Sequence, residues 1–409
     1  MKTENQDFSK NKYITKQEGS VKFFLHEIDN NTIPSKSMNV FYNERMEINR
    51  DISILAIIAY SKIISQVSLV VVDSMAASGI GSIRLLKNTK NVKKIYLNDI
   101  NPVATELIKN NLELNKIEPK QTEVLNKDAN LLFSEISRSS ALPDVISIDP
   151  FGTPNFYIDS AFKAIKKDKG LLCITATDTA VLFGVKPKAC IRKYMSKPLH
   201  TDYCKEIGAR ILISFISRIA NINNLGIIPL LTFYSNHFIR IFAMSFRGKS
   251  KILKEIPKSY GYIIHCKNCG NRSSTIENLL KVPQKCPICS SEKHLSYSGP
   301  LWVGELHQKS YLEELSLLNE KFNFKNKKRI TKILNFALNE INMPISYYNI
   351  HKISQQLKLS SIPKLEDIIK IIEKKGYKAS RTHFDFISIK TDMSIDELKK
   401  VLKQNEKLN

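Results

Sequence analysis

The sequence predicts an α/β fold. A doubly wound, mostly parallel sheet would occupy residues 1–250. A smaller α+β domain would follow over 251–409, with a four-cysteine ribbon at about 260–300. Three observations lead there. Short β-branched runs alternate with helix-like stretches between residues 50 and 246. A turn of small residues, Met75-Ala76-Ala77-Ser78-Gly79-Ile80-Gly81, follows the first run. Two Cys-x-x-Cys pairs stand close together further on.

In chain order, Val67 to Asp73 is the first strand and Lys94 to Asp99 the second. Thr122 to Leu125, Asp144 to Asp149 and Leu171 to Thr177 follow. Runs this continuously apolar suit parallel strands covered on both faces. Ile227 to Tyr234 and Phe238 to Phe246 lie three residues apart and predict a hairpin at a sheet edge. Five parallel strands with helices between, then a hairpin, is the pattern of a class I, Rossmann-like methyltransferase, an analogy at the level of fold.

A chain of 409 residues exceeds one ordinary core and implies two domains. A hydrophobic fraction of 43% is enough to bury a sizeable core. Lys and Arg outnumber Asp and Glu by 62 to 39, a net charge of +23, which favours a polyanionic partner such as nucleic acid. A merely Lys-rich proteome would give the same count. The longest apolar run, Ile52 to Tyr60, is far short of the roughly 20 residues of a membrane span. Met1 to Lys16 lacks the apolar core of a signal peptide. The expectation is a cytoplasmic protein with no membrane attachment, and nothing implies an obligate protein partner.

In doubly wound sheets ligands bind beyond the carboxyl ends of the strands, where strand order reverses. The first strand ends in Asp73, and the small residues up to Gly79 let the backbone approach a ligand closely. The second ends in Asp99, placed to accept both ribose hydroxyls of an adenine nucleoside. Asp128-Ala129 follows the third strand, where the adenine would sit. A dinucleotide site shares these parts, but its Gly-x-Gly-x-x-Gly fingerprint needs a third glycine where Arg84 stands. S-adenosyl-L-methionine has no pyrophosphate and makes no such demand.

The fourth strand ends in Asp149-Pro150-Phe151-Gly152, which resembles the (Asp/Asn)-Pro-Pro-(Phe/Tyr) motif of amino-group methyltransferases. The chemistry explains the residue types. An exocyclic amine is a poor nucleophile because its lone pair is delocalised into the base. A carboxylate that accepts its N–H bonds localises the pair and can take the released proton. The aromatic ring stacks on a base splayed from its helix. An Asp capping a turn before proline would look the same.

With these motifs the sequence resembles the tRNA guanine-26 N2-dimethyltransferase family, the Trm1 type. The resemblance runs from about Phe41 to the C-terminus. It rests on Phe41-Tyr42-Asn43, Asn49-Arg50-Asp51, the Met75 to Arg84 loop, Leu97-Asn98-Asp99 and Asp128-Ala129-Asn130. Asp149 to Gly152, Thr175 to Thr179, Gly299-Pro300-Leu301-Trp302 and Ala379 to Phe384 complete it. It implies methylation of the guanine N2 amine at position 26 of tRNA, to N2-methyl and N2,N2-dimethylguanosine. Arg50, Asp99, Asp128 and Ala129 would contact S-adenosyl-L-methionine. Asp149 would hold the amine and act as base, and Phe41 and Phe151 would sandwich the flipped guanine. One departure stands out. The family's Gly-Ile-Arg-Gly-Ile-Arg is here Gly79-Ile80-Gly81-Ser82-Ile83-Arg84, so the first arginine, a cofactor contact, is missing. Arg84, three residues on along a helix, points elsewhere and is no replacement.

Cys266, Cys269, Cys286 and Cys289 form two Cys-x-x-Cys pairs separated by 16 residues, the spacing of a structural zinc ribbon. Another thiophilic metal or an iron–sulfur cluster would use the same ligands. Four ligands leave no open position, so the metal is structural. Cys173, Cys190 and Cys204 are read as unliganded, and His265 and His294 as surplus. Residues 321–409 carry 19 Lys or Arg against 9 Asp or Glu, on helical stretches such as Leu365, Ile368, Ile369 and Ile372. They suit phosphate contacts along tRNA, or simply a solvated face. Arg381 to Phe384 receive no catalytic role. Two alternatives share parts of this pattern: an amino-methyltransferase acting on another RNA or DNA base, and a non-catalytic RNA-binding zinc protein.

Overall fold

The computed structural model describes residues 13–30, 35, 37–276 and 282–405. Most of the Met1 to Lys16 stretch, and residues 277–281 of the ribbon, lie outside them. The chain packs into two compact units. The first runs to Ile174 and takes in Leu318–Lys327; the second comprises Thr175–Leu317 and Lys328–Asn409.

The first unit opens with an antiparallel hairpin, β1 (Tyr13–Glu18) and β2 (Val21–His26). The parallel strands are β3 (Leu69–Asp73), β4 (Val92–Asn98), β5 (Thr122–Leu125), β6 (Val145–Ile148) and β7 (Leu171–Ala176). The antiparallel pair β8 (Leu225–Ser235) and β9 (Phe238–Arg247) falls in the second unit, and the strand order of the sheet is β5-β4-β3-β6-β7-β9-β8. All seven expected strands are present, each within two residues of its expected ends. From β3 the chain builds outward through β4 and β5, then returns to lay β6 on the other side of β3. The carboxyl ends of β3 and β6 are therefore the switch point where such sheets bind ligands.

The loops at that end are tied together by Asn98, which is fully buried. Its amide donates to the carbonyls of Ser74 (3.0 Å) and Lys127 (2.9 Å), and its oxygen accepts from the Lys127 N–H (3.1 Å). One side chain thus fixes the exits of β3, β4 and β5. Gly79 caps the helix Ile80–Asn88 at φ 75°, and a Cβ there would lie 3.2 Å from Ile108. Only glycine meets both the positive φ and the close approach without strain.

The helix Glu47–Ile63 is apolar on nearly every side, as a buried helix should be. Successive helical residues point about 100° apart. Asn49, Arg50 and Asp51 therefore leave it in three directions. Asp51 meets Arg84, a wholly buried side chain that also pairs with Glu18 of β1 and lies 5.5 Å from the Phe324 ring. Arg84 is thus committed to Glu18 and Asp51. Arg84→Met would leave two buried carboxylates short of their counter-charge. It should cost about 3–5 kcal/mol, read as a lower unfolding midpoint in urea.

In the second unit, β10 (Tyr260–Cys266), β11 (Arg272–Thr275) and β12 (Leu295–Trp302) form a sheet of order β11-β10-β12. A third small sheet, order β13-β15-β14, uses β13 (Tyr348–Asn349), β14 (Ala379–Arg381) and β15 (Ser388–Thr391). Residues beyond Phe322 read as helical in sequence, and these strands interrupt that reading. At two to four residues each they are too short to display alternation. The helical spacing of Leu365, Ile368 and Ile372 does give a helix, Leu365–Lys374, whose apolar face joins Ile389, Leu398 and Leu402 in a local core. Among the described residues, no helix is long and apolar enough to cross a membrane.

Candidate active site and metal centre

Every residue expected to bind cofactor or base lies in the first unit. Asp99 follows β4. Its Oδ2 accepts the Ala77 N–H and its Oδ1 the Asn101 N–H, both at 2.9 Å. Burial raises its pKa above the ordinary 3.8, and the backbone hydrogen bonds oppose that rise. Asp73 accepts the Ser82 hydroxyl at 2.6 Å. Asp128 caps the helix Ala129–Ser137, its Oδ1 accepting the N–H groups of Asn130 (2.8 Å) and Leu131 (3.2 Å). Ala129, the first residue of that helix, is buried. Each carboxylate is thus set by backbone or hydroxyl donors before any ligand arrives.

Arg50 is held by Glu18: Nε donates to Oε1 at 2.7 Å and Nη2 to Oε2 at 2.5 Å. Its stem passes 3.8 Å from the place a Cβ of Gly81 would take. Asp149, at the end of β6, accepts from the Asn49 amide at 3.3 Å. Phe41 and Phe151 are brought together as expected. However, their rings meet edge to face, with centroids 4.7 Å apart and planes at 84°. A base between them requires that contact to open. Phe151 is 47% exposed, so it has room to swing. Two residues received no role from sequence reasoning. Asn49 had only its place in the Asn49-Arg50-Asp51 block to mark it; Glu18 had no signal beyond a Glu-Gly turn between two alternating runs.

The four ribbon cysteines come together in the second unit. Sγ of Cys266 lies 3.6 Å from that of Cys289, and Sγ of Cys269 lies 3.7 Å from that of Cys286. Sulfurs at tetrahedral corners about 2.3 Å from a zinc ion are roughly 3.8 Å apart, so the donor set fits the metal and is too open for disulfides. The two knuckles are matched. Gly270 N–H bonds to the Cys266 carbonyl and Ser290 N–H to the Cys286 carbonyl, both at 2.9 Å, with positive φ at each. Gly270 closes the first knuckle, and Ser290 occupies the equivalent position in the second. Neither His265 nor His294 joins the cluster.

A second group, His307, Glu340 and His383, is also close-set and buried. Glu340 bonds His383 at 2.8 Å, while Lys390 lies 3.7 Å from Glu340 and 2.8 Å from Glu206, which also pairs with Arg210. Two carboxylates against two cations balance without a metal, so this is a buried ion network that fastens the Arg381-Thr382-His383-Phe384 segment. Thr382, His383 and Phe384 of that segment are buried, and Arg381 pairs with Glu366.

A mostly parallel α/β sheet, with a glycine turn after β3, an acid after β4 and Asp-Pro-Phe after β6, places the protein among the Rossmann-like methyltransferases. Comparison with known proteins narrows the class. The profile of the N2,N2-dimethylguanosine tRNA methyltransferase family matches residues 19–403, and the chain belongs to that family. It is 38% identical to the tRNA (guanine(26)-N(2))-dimethyltransferase of Methanosphaera stadtmanae, over 94% of this chain and 95% of that protein. It is 34% identical to the tRNA (guanine(26)-N(2)/guanine(27)-N(2))-dimethyltransferase of Aquifex aeolicus, over 95% of each. The solved complex of Trm1 from Pyrococcus horikoshii with S-adenosyl-L-methionine superposes with a TM-score of 0.81 at 31% identity, covering 95% of this chain and 99% of that one.

Proposed function

We propose that this protein transfers methyl groups from S-adenosyl-L-methionine to the exocyclic N2 amine of guanosine 26 in tRNA, giving N2-methyl- and then N2,N2-dimethylguanosine. The observation that carries the reading is Asp149, at the carboxyl end of β6 beside the switch point, oriented by Asn49. Bound, the cofactor supplies a sulfonium methyl that is already activated. The chain's part is alignment and proton removal. Asp99 accepts the ribose hydroxyls, and Asp128 and Ala129 border the adenine. Arg50 takes the carboxylate of the methionine moiety, and Asp73 and Gly79 line the turn beneath it. Phe41 and Phe151 separate to take the flipped guanine. Asp149 accepts the amine N–H bonds, which restores nucleophilic character to its lone pair. As the new N–C bond forms and the C–S bond breaks, the nitrogen loses a proton to Asp149, and neutral S-adenosylhomocysteine leaves.

The basic residues of 321–409 suit contacts to tRNA phosphates. The four cysteines hold a structural zinc, whose role is to fold the ribbon. The activity belongs where tRNA is used, in the cytoplasm. Labelled cofactor tests the whole reading. Unmodified tRNA with guanosine at position 26 should gain label, recovered as N2-methylated guanosine, while the same tRNA with adenosine there should gain none. Equal labelling of both would move the target. The Aquifex relative, named for positions 26 and 27, makes guanosine 27 the next position to substitute.

A further inference from the structure

Arg50 donates from Nε and Nη2 to the two oxygens of Glu18, and Nη2 also reaches the Asn43 carbonyl at 3.2 Å. This leaves Nη1 as the edge that donates to no described residue. Glu18 is itself fixed from two further sides. Arg84 Nη1 donates to Oε1 at 2.5 Å, and the Tyr42 hydroxyl donates to Oε2 at 3.1 Å. The Tyr42 ring also lies 5.2 Å from the Arg50 guanidinium carbon. Arg84 is held in turn by Asp51, whose second oxygen accepts from Asn326 at 2.9 Å. Burial works against the Glu18 charge, yet Arg50 and Arg84 together hold its carboxyl below the ordinary value. Two carboxylates and two guanidiniums balance, so the group is complete without a ligand. Gly81 adds no cation of its own.

We propose that Glu18 is the positioning residue of the cofactor site. By taking two of the three guanidinium nitrogens of Arg50, it leaves one edge, Nη1, for the carboxylate of the cofactor's amino-acid end. Glu18 then governs discrimination in favour of S-adenosyl-L-methionine over adenine nucleosides that lack the amino acid. A planar guanidinium held in a bidentate pair presents its remaining N–H groups in a fixed plane, whereas an unpaired one rotates among several.

The inference rests on the cofactor assignment above, and its test separates the two. Calorimetric binding of S-adenosyl-L-methionine and of 5′-methylthioadenosine, which carries the adenine nucleoside and thioether without the amino acid, is measured for the wild type, Glu18→Gln, Arg50→Gln and the double variant. Glu18→Gln should weaken S-adenosyl-L-methionine about tenfold and leave methylthioadenosine within about twofold. It should add nothing further on top of Arg50→Gln, because it acts through that residue. Unchanged affinity, equal weakening of both ligands, or additive losses in the double variant would overturn the proposal. A wild type that binds neither ligand would overturn the cofactor assignment itself and this inference with it. If Glu18→Gln does not fold, Tyr42→Phe keeps the charge balance and removes one hydrogen bond to Glu18. It should weaken S-adenosyl-L-methionine alone by about threefold, and the same criteria apply.

Discussion

Asp149→Ala should reduce methyl transfer by at least about a thousandfold while S-adenosyl-L-methionine binds with nearly wild-type affinity. The expectation follows from where Asp149 stands. It closes β6, across the switch point from Asp73 and Asp99, the acids proposed for the cofactor, and the hydrogen bonds from Ala77, Asn101 and Ser82 that set those two come from other residues. Among its partners is the Asn49 amide, at 3.3 Å, a group that orients a carboxylate without neutralising it. The loss should therefore fall on turnover. Asp149→Asn is the sharper comparison. It keeps an oxygen that can accept one amine N–H bond, but it cannot take the proton, so it should retain more activity than alanine and far less than the wild type. Single-turnover transfer from labelled cofactor, beside a cofactor titration, reads both quantities. Turnover at the wild-type rate in Asp149→Ala would remove Asp149 from the chemistry.

Cys286→Ser should release the metal and unfold the ribbon, the other large effect expected here. Structural zinc sites contribute folding free energy on the order of 10 kcal/mol, because the site does not exist in the unfolded chain. Cys286 is buried, and its backbone also closes the second knuckle through the Ser290 and Ser291 hydrogen bonds. A serine hydroxyl is a poor zinc ligand, so three thiolates remain and the tetrahedron is broken. Elemental analysis should show one zinc per wild-type chain and much less than one in the variant. Protease cleavage should become concentrated between β10 and β12. A variant that kept full zinc occupancy and wild-type protease resistance would show that the cysteines pack without needing the ion. A wild type carrying iron in place of zinc would change the metal and leave the structural role intact.

Most of the central sheet was legible because β3, β7, β8 and β9 are continuous apolar runs. Val70, Val71 and Val72 in β3, and all six buried residues of β7, announce themselves without knowledge of their neighbours. The candidate carboxylates could be picked out for a related reason: a doubly wound sheet puts its ligands at strand ends, so each acid following a strand is already a candidate. What could not be read was anything decided by a distant partner. Glu18 precedes a Gly-Ser turn in a hairpin that appears in sequence as a polar lead-in, and its importance depends on Arg50 and Arg84, which lie 32 and 66 residues away. The edge-to-face contact of Phe41 with Phe151 was equally invisible, since motif chemistry specifies an aromatic ring and says nothing of its resting angle. The short strands of the last sheet owe their existence to the core around Ile389 rather than to their own pattern.

Leu318–Lys327 belongs to the same compact unit as β1 to β6, although more than 140 residues of the second unit are made before it. Asn326 satisfies Asp51, Lys325 pairs with Glu44, and Phe324 lies against Arg84. On the ribosome, the cofactor fold therefore emerges early but waits for its last ten residues, with the buried Asp51 short of a hydrogen-bond donor until they arrive. Folding of the N-terminal unit is thereby tied to completion of most of the polypeptide, an arrangement that exposes truncated products to proteolysis. The same dependence bears on protein engineering. A fragment ending at residue 250 would contain every side chain proposed for catalysis and still lack the partners of Asp51, Glu44 and Arg84.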